Sequence, residues 1–242
     1  PAQSEYQNLD AQLVRRYRDA EVVYGKARAR FDKKDFEGTR KELDACLKLI
    51  PAHAEAHLLL AKVLYVDKDF AQALVEVERA KAGHDATAAI MAKIQADRMS
   101  ELRKRAREKD NSIAERNAQA AKVPGSLALQ QPSTQVDYEK DEINRILNAQ
   151  RPDPSGIPAE YFFFHGNVLL RLQRPAEAVA QYEEALKINP AYGEAANNLA
   201  ALYFSARQYE KARGVATTAE GNGVVVNPEL KKAIESALQQ PR

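Results

Sequence analysis

The sequence repeats itself at a step of 34 residues, in two separate parts of the chain. The step carries Ala27 onto Ala61 and Phe36 onto Phe70 in the first part, and Ala178 onto Ala212 in the second. Each unit holds two helix-length stretches separated by a short polar turn, such as DKKD at 32–35. Because one helix pair cannot bury its own apolar face, this pattern predicts a stack of helix–turn–helix pairs that share a core.

The composition is that of an ordered protein without a strong charge. Of the 242 residues, 45% are hydrophobic and 29% are charged. The 36 Lys and Arg residues nearly balance the 34 Asp and Glu residues, and the net charge of +2 leads us to expect no nucleic-acid partner. No apolar stretch approaches about 18 residues, so we also expect no membrane span. The sequence leaves the compartment open: a soluble protein could be cytoplasmic, or exported after removal of a targeting segment.

One 34-residue unit shows the pattern of aromatic, small and large residues most completely. It contains Phe162, Gly166, Leu169, Ala178, Tyr182, Ala185 and Pro190 at spacings that resemble the tetratricopeptide repeat family. Four such repeats are recognised, at 20–53, 54–87, 159–192 and 193–226. The resemblance implies an all-α fold, an α-solenoid of tetratricopeptide-type helix pairs, in which a long helical and linker segment separates two repeat pairs.

The segments between and beside the repeats suggest three parts of the chain. Residues 1–87 are predicted to hold an N-terminal helix, opened by Ser4 and Gln7, and two repeats. Residues 88–137 are predicted to form a long charged helix, followed by a flexible connector at 123–136. Residues 138–242 are predicted to hold a packing helix at 138–148, two repeats and a C-terminal capping helix. In that last helix Asn227 is the expected N-cap and Pro228 the first helical residue.

No catalytic motif is present in the sequence. There is no nucleophile-elbow, Walker or Rossmann pattern, and we expect a non-catalytic chain without a cofactor. Cys46 takes a small-residue position of its repeat, which indicates a buried structural residue. His53 and His57 stand four residues apart, a spacing that could place two imidazoles on one helix face. With no third ligand visible, we expect no metal site.

The resemblance also implies a binding surface, because the first helix of each pair lines the concave groove in this family. Among the residues carried over to groove positions, those we expect to bind a partner are Tyr65, Phe163, Phe164, Asn167, Arg171, Asn197, Asn198 and Phe204. Some family members hold a C-terminal carboxylate with a clamp of lysine, asparagine and arginine. Here Asn167 and Asn198 match the clamp, but Phe163 and Pro228 replace its two lysines and remove most of its positive charge.

Three consecutive phenylalanines, 162–164, cannot all face one core, because successive helix residues point about 100° apart. Two hypotheses follow: these rings anchor an apolar partner segment, or they meet the helix at 138–148. The charged segment Glu101–Arg116 also has two interpretations, a solvated helix face or an RNA-binding or acidic-partner site.

These patterns favour a non-catalytic scaffold that binds a peptide or helical segment of a protein partner in the concave groove. The alternative is a docking or regulatory module of a larger protein whose activity lies outside this chain. Self-association through exposed apolar faces is a further hypothesis. Whether the two repeat pairs stack together or form separate lobes stays open at this point.

Overall fold

The computed structural model describes residues 11–122, 134–148 and 156–239, and over these ranges the chain is all-helical. The ten helices of the described ranges are α1 (Ala11–Asp32), α2 (Phe36–Leu49), α3 (Ala54–Val66), α4 (Phe70–Lys122), α5 (Thr134–Asn148), α6 (Ala159–Arg171), α7 (Pro175–Ile188), α8 (Gly193–Ser205), α9 (Tyr209–Gly221) and α10 (Pro228–Gln239). The predicted N-terminal helix start at Ser4 and most of the predicted connector at 123–136 lie outside the described residues.

The turns inside the four repeats share one backbone geometry. Each contains a single non-glycine residue with φ between 58° and 66°, and these residues are Lys34, Lys68, Gln173 and Arg207. In every turn the next amide donates to a carbonyl five residues earlier, as Asp35 N does to Arg30 O at 3.0 Å. This is the Schellman closure of a helix C-terminus, and it reverses the chain into the second helix of the pair. The four predicted helix–turn–helix pairs are therefore confirmed.

Small residues let the two helices of each pair approach closely. Ala27, Ala61, Ala178 and Ala212 occupy equivalent positions and are all fully buried. Gly166 is the tightest example, since a Cβ atom at this position would lie 2.6 Å from Cε1 of Tyr182. The tyrosine ring thus packs directly on the α6 backbone, which only glycine permits.

The second and third repeats pack directly on each other, although 71 residues of sequence separate their predicted ranges. Tyr161, Phe164 and Val168 of α6 belong to one buried cluster with Leu58 of α3 and Val77 of α4. The two repeat pairs therefore share one core, which answers the question that the sequence left open.

The second helix of repeat two does not end with the repeat. It continues as α4 for 53 residues, from Phe70 to Lys122, whereas the sequence predicted separate helices on either side of residue 87. The repeat at 20–53 ends with Pro51 and that at 159–192 with Pro190, but Asp85 stands near the corresponding place of repeat two. With no proline to interrupt the backbone hydrogen bonds, the helix continues. Gly83 allows its close packing, because a Cβ there would lie 2.4 Å from Ala52 O.

The chain divides into two compact units. The larger unit contains the described residues of Arg15–Thr87 and Ser155–Arg242, which are the four repeats and α10. The smaller unit contains the described residues of Pro1–Val14 and Ala88–Pro154. The division into 1–87, 88–137 and 138–242 follows the order of the sequence and stays a prediction.

In the smaller unit, the charged segment Glu101–Arg116 of α4 forms ion pairs with α5. Lys109 Nζ lies 2.5 Å from Glu139 Oε2, and Lys140 Nζ lies 2.5 Å from Asp110 Oδ1. Helix α5 begins at Thr134, four residues before its predicted start, since the last helix breaker upstream is Pro132. These ion pairs favour the interpretation of Glu101–Arg116 as a solvated face with mixed charges.

The C-terminal helix forms as predicted. Asn227 Oδ1 accepts hydrogen bonds from the Glu229 and Leu230 amides at 2.9 and 3.2 Å, which caps the start of α10. Ile234 of α10 is buried against the core of the last two repeats. Over the described residues, no helix combines the length and the apolar composition needed to cross a bilayer.

Candidate functional site

The first helices of the four repeats, α1, α3, α6 and α8, form what we call the first-helix face. On this face α3 and α6 are joined by several side chains. Lys62 Nζ donates to Glu160 Oε1, and the rings of Tyr65 and Phe164 lie 5.5 Å apart between centroids. The Arg171 guanidinium lies 6.0 Å from the Tyr65 ring centroid. The structure thus brings together Tyr65, Phe164 and Arg171, three of the residues that the sequence analysis assigns to the groove.

Helices α6 and α8 are joined by an amide–tyrosine network. Tyr182 Oη donates to Asn167 Oδ1 at 2.6 Å, and Asn198 Nδ2 lies 3.2 Å from the same oxygen and 3.3 Å from Tyr182 Oη. Burial raises the pKa of Tyr182 to about 12, so its hydroxyl remains a donor at neutral pH. No hydrogen bond to a described residue uses Asn167 Nδ2 or Asn198 Oδ1. The network therefore presents an unused NH₂ group, which can donate, on Asn167 and an unused carbonyl oxygen, which can accept, on Asn198.

The three consecutive phenylalanines point to three different neighbours within the repeats. Lys81 Nζ lies 4.2 Å from the Phe162 ring centroid. Phe163 stacks near Tyr192, with ring centroids 5.0 Å apart. Phe164 is only 9% exposed, in the core between repeats two and three. Phe163 is half-buried and lies next to the amide–tyrosine network, with its ring centroid 6.0 Å from that of Tyr182.

Two of the predicted residues lie apart from this network. Asn197 Nδ2 donates to Gly193 O at 2.9 Å, and its Oδ1 accepts from Asn227 N at 2.8 Å, which ties α8 to the start of α10. Phe204 packs on Tyr209 at the turn into α9, with ring centroids 5.4 Å apart. Asn197 and Asn198 together line a depression of about 480 Å³ beside Gly193 and the loop after α9.

The two histidines of the HAEAH segment do not face a common point where they could bind one ligand. His57 Nδ1 lies 2.6 Å from Glu76 Oε2, and His57 Nε2 lies 2.8 Å from Pro51 O, so both nitrogens of His57 are engaged. His53 is the N-cap of α3 and is fully buried. Cys46 is buried as well, with its sulfur 3.4 Å from Ala20 O.

Sequence reasoning missed several features of this part of the structure. The repeat pattern identifies Tyr182 only as a core aromatic residue. Tyr192 lies in a loop, at a position where the repeat pattern prefers no particular residue type. On the opposite side, the second helices α7 and α9 flank two depressions of about 600 and 730 Å³ that share Glu183, Tyr203 and Lys211. No sequence pattern marked these, because they arise from the spacing between helices of neighbouring repeats.

Comparison with known proteins places the fold in a family. The family model described as tetratricopeptide repeat matches residues 15–87 and 165–223, more than half of the chain. The chain belongs to the tetratricopeptide repeat family. Repeats of this family are generally protein–protein interaction modules, and proteins with this fold are generally non-catalytic scaffolds.

Individual relatives are distant. A curated relative, the DnaJ homolog subfamily C member 7 homolog of Schizosaccharomyces pombe, is 27% identical over 191 residues. The match covers 78% of this chain and 36% of the relative, so the chain spans about a third of that protein's length. Among solved structures, Pseudomonas aeruginosa PilF matches with 16% identity and a TM-score of 0.37, covering 92% of this chain and 90% of that one. A tetratricopeptide repeat protein of Thermus thermophilus matches with 15% identity and a TM-score of 0.36, covering 91% and 100%.

Proposed function

We propose that this chain is a non-catalytic scaffold that binds a peptide or helical segment of a partner protein along the first-helix face. The observation that carries the proposal is the unused amide nitrogen of Asn167 and the unused amide oxygen of Asn198, in side chains held in place by Tyr182. An extended peptide offers an amide N–H and a carbonyl at each residue, and side-chain amides can pair with both.

The surroundings of the two asparagines fit such a ligand. Phe163 and Tyr192 provide aromatic surface on one side, and Arg171 provides a positive charge on the other. The buried cluster shared by repeats two and three supports this surface from beneath, so little ordering would be required upon binding.

A docking or regulatory module within a longer protein is the second candidate function. The observation that favours it is the length of the Schizosaccharomyces pombe relative, of which this chain spans 36%. In that arrangement the first-helix face would bring a partner to an activity located outside this chain.

The test is a selection of peptides from a random display library on the immobilised chain, followed by affinity measurement with labelled hits. Asn198→Ala and Arg171→Ala should each weaken binding by about tenfold, the usual cost of losing one or two good hydrogen bonds. Arg213→Ala is the matched control for the arginine, because Arg213 is exposed on α9 and pairs with Glu210 at 2.6 Å.

If the Arg213→Ala variant loses binding while Asn198→Ala keeps it, the site lies on the second-helix side and the proposal is wrong. Sedimentation over a range of concentrations tests the self-association hypothesis, which predicts a molecular mass that rises with concentration.

A further inference from the structure

Three groove residues of different chemistry follow one another along α6. Phe163, Asn167 and Arg171 are spaced four residues apart, and residues at this spacing lie on the same side of a helix. At a rise of about 1.5 Å per residue, Phe163 and Arg171 lie about 12 Å apart along the helix axis. The exposed side of α6 therefore presents an aromatic ring, an amide and a cation in this order.

The side chain of Arg171 is positioned by aromatic rings and not by an acid. Its guanidinium carbon lies 4.8 Å from the ring centroid of Phe70 and 6.0 Å from that of Tyr65. Within the described ranges of the chain, neither a hydrogen bond nor an ion pair engages the guanidinium, and the residue is exposed. A guanidinium that contacts an aromatic face keeps its N–H donors, which can bind both oxygens of a carboxylate. Arg171 is therefore a positioned cation that an acidic group of a partner can reach.

Lys62, a second cation on the first-helix face, differs from Arg171 in this respect. Its ammonium pairs with the carboxylate of Glu160 across the boundary between α3 and α6. A partner acid that bound Lys62 would have to compete with Glu160, whereas an acid at Arg171 has no such competitor among the described residues. We therefore expect a negatively charged group of the partner to bind at Arg171.

The aromatic end of α6 has the opposite electrostatic character. Burial, followed by the charges of Glu160 and Glu194, raises the pKa of Tyr192 to about 12. Phe163 packs on this tyrosine, with ring centroids 5.0 Å apart. An acidic side chain beside these two rings would be repelled by the nearby glutamates, whereas an apolar side chain would gain ring contacts. The two ends of the surface therefore select different side chains of a bound peptide.

We propose that the partner segment is an extended peptide with an acidic side chain bound to Arg171 and, four positions away, an apolar side chain bound against Phe163 and Tyr192. The inference rests on the peptide binding proposed for Asn167 and Asn198, and it assigns the side chains of the same peptide. In an extended chain, side chains four positions apart point to the same side and are separated by about 13 Å, which matches the length of the surface. A spacing of two positions reaches only about 7 Å.

The acid is an Asp or Glu side chain within the peptide and not the C-terminal carboxylate. Phe163 and Pro228 stand where a carboxylate clamp would have its two lysines, so the positive charge of such a clamp is missing. Arg171 provides one guanidinium, which suffices for the two oxygens of a single side-chain carboxylate. The peptide can therefore continue on both sides of its acidic residue.

The test is the selection from a random peptide library, carried out separately on the original chain and on Arg171→Glu. With the original chain, we expect enriched peptides to share an apolar residue and an Asp or Glu four positions apart, in one of the two orders. With Arg171→Glu, we expect Lys or Arg in place of the acid, because the reversed charge attracts the opposite sign. Lys41→Glu is the matched control: Lys41 is exposed on α2, and its replacement changes the net charge equally but should keep the preference for an acid.

Affinity measurements with one enriched, synthetic peptide give a second readout. Replacing its acid with Gln, or moving the acid from four to two positions from the apolar residue, should weaken binding by about tenfold. Arg171→Lys should weaken binding several-fold although it keeps the charge, because it removes the guanidinium fork and its contact with the rings. Amidation of the peptide's C-terminus should leave the affinity unchanged, since the acid that binds is a side chain.

Failure of this inference can be distinguished from failure of the proposed function. Enriched peptides that share no acid, but lose affinity with Asn198→Ala, overturn the inference and leave peptide binding at the asparagines intact. A preference for an acid that persists in Arg171→Glu, or binding that is lost upon amidation, also overturns the inference alone. If no peptide is enriched on the folded chain, both the inference and the proposed function are wrong.

Discussion

Four residues in the left-handed backbone region close the repeats, and none of them is glycine. At Lys34, Lys68, Gln173 and Arg207 a side chain occupies a conformation in which its Cβ is crowded by the backbone. The sequence did not mark these positions, because glycine is the usual signal for such a turn.

Replacing one of these residues with glycine should stabilise the protein. For Arg207→Gly we expect a gain of about 0.5–1 kcal/mol in the free energy of unfolding, because the strain at φ 58° is removed. Urea unfolding measures the effect. Ala201→Gly is the control, since Ala201 is exposed within α8, where glycine should cost about 1 kcal/mol. Destabilisation by Arg207→Gly equal to that of the control would contradict the assigned turn geometry.

His165 gives a second prediction for a single residue. Burial, followed by the nearby Lys81 charge, lowers the pKa of His165 to about 4, below the ordinary value of 6.5. As the pH falls below 6.5, the unfolded chain takes up a proton at this position before the folded protein does. The native state therefore loses about 3 kcal/mol of stability between about pH 6.5 and pH 4.

The measurement is urea unfolding at several pH values on the original chain and on His165→Leu. Leucine is the residue that the repeat pattern prefers at this position, and it cannot titrate. The variant should lose less stability than the original chain across this pH range. Parallel stability curves for the two proteins would show that His165 is not held neutral by its surroundings.

At the level of helices, Tyr182 connects three elements through one hydroxyl. It belongs to α7, donates to Asn167 of α6 and accepts from Asn198 of α8. Tyr182→Phe keeps the ring against Gly166 but removes both hydrogen bonds. We expect a loss of about 1–2 kcal/mol in the free energy of unfolding and weaker peptide binding, because the two asparagines lose their common anchor.

Tyr209→Phe is the control for this change, since Tyr209 lies at the start of α9 and its ring packs on Phe204. Calorimetric unfolding and the peptide affinity measurement give the two readouts. If both tyrosine variants behave alike, the amide–tyrosine network does not organise the proposed binding surface.

The helices and their pairing could be predicted from the sequence because they follow local rules. The 34-residue step, the small residues at crossings such as Ala61 and the cap at Asn227 all act over short distances. The continuation of α4 past residue 87 was harder to predict than the helix pairs. It depends on the absence of a proline rather than on a residue that is present.

The candidate site was only partly predictable for a related reason. The repeat pattern placed Asn167 and Asn198 on neighbouring first helices, but the bond that unites them comes from Tyr182 on a second helix. Likewise, the repeat pattern assigns Phe163 to the groove, but its contact with Tyr192 depends on a loop. Contacts between helices or loops at non-equivalent positions of the repeats cannot be read from the 34-residue pattern, so they can be identified only in the structure.

For the molecule as a whole, the larger unit contains its own core. Tyr161 and Phe164 of repeat three share buried contacts with Leu58 and Val77 of repeat two. Replacing residues 88–155 with about twenty Gly and Ser residues, which reach about 25 Å, should therefore leave the four repeats folded. Circular dichroism and urea unfolding should show a helical protein with one cooperative transition. Two separate transitions would mean that the repeat pairs fold independently.

The most direct test of the shared first-helix face is a cross-link between the two repeat pairs. In a Cys46→Ala background, which matches the alanine found at the equivalent positions 80, 185 and 219, Lys62→Cys and Glu160→Cys place two thiols where the native side chains form an ion pair. A short bis-maleimide should join them within one chain in buffer but not in urea, as measured by mass spectrometry. Lys62→Cys with Glu210→Cys on α9 should not react in this way. Failure of the 62–160 pair to cross-link in a folded chain would contradict the direct packing of repeat two on repeat three.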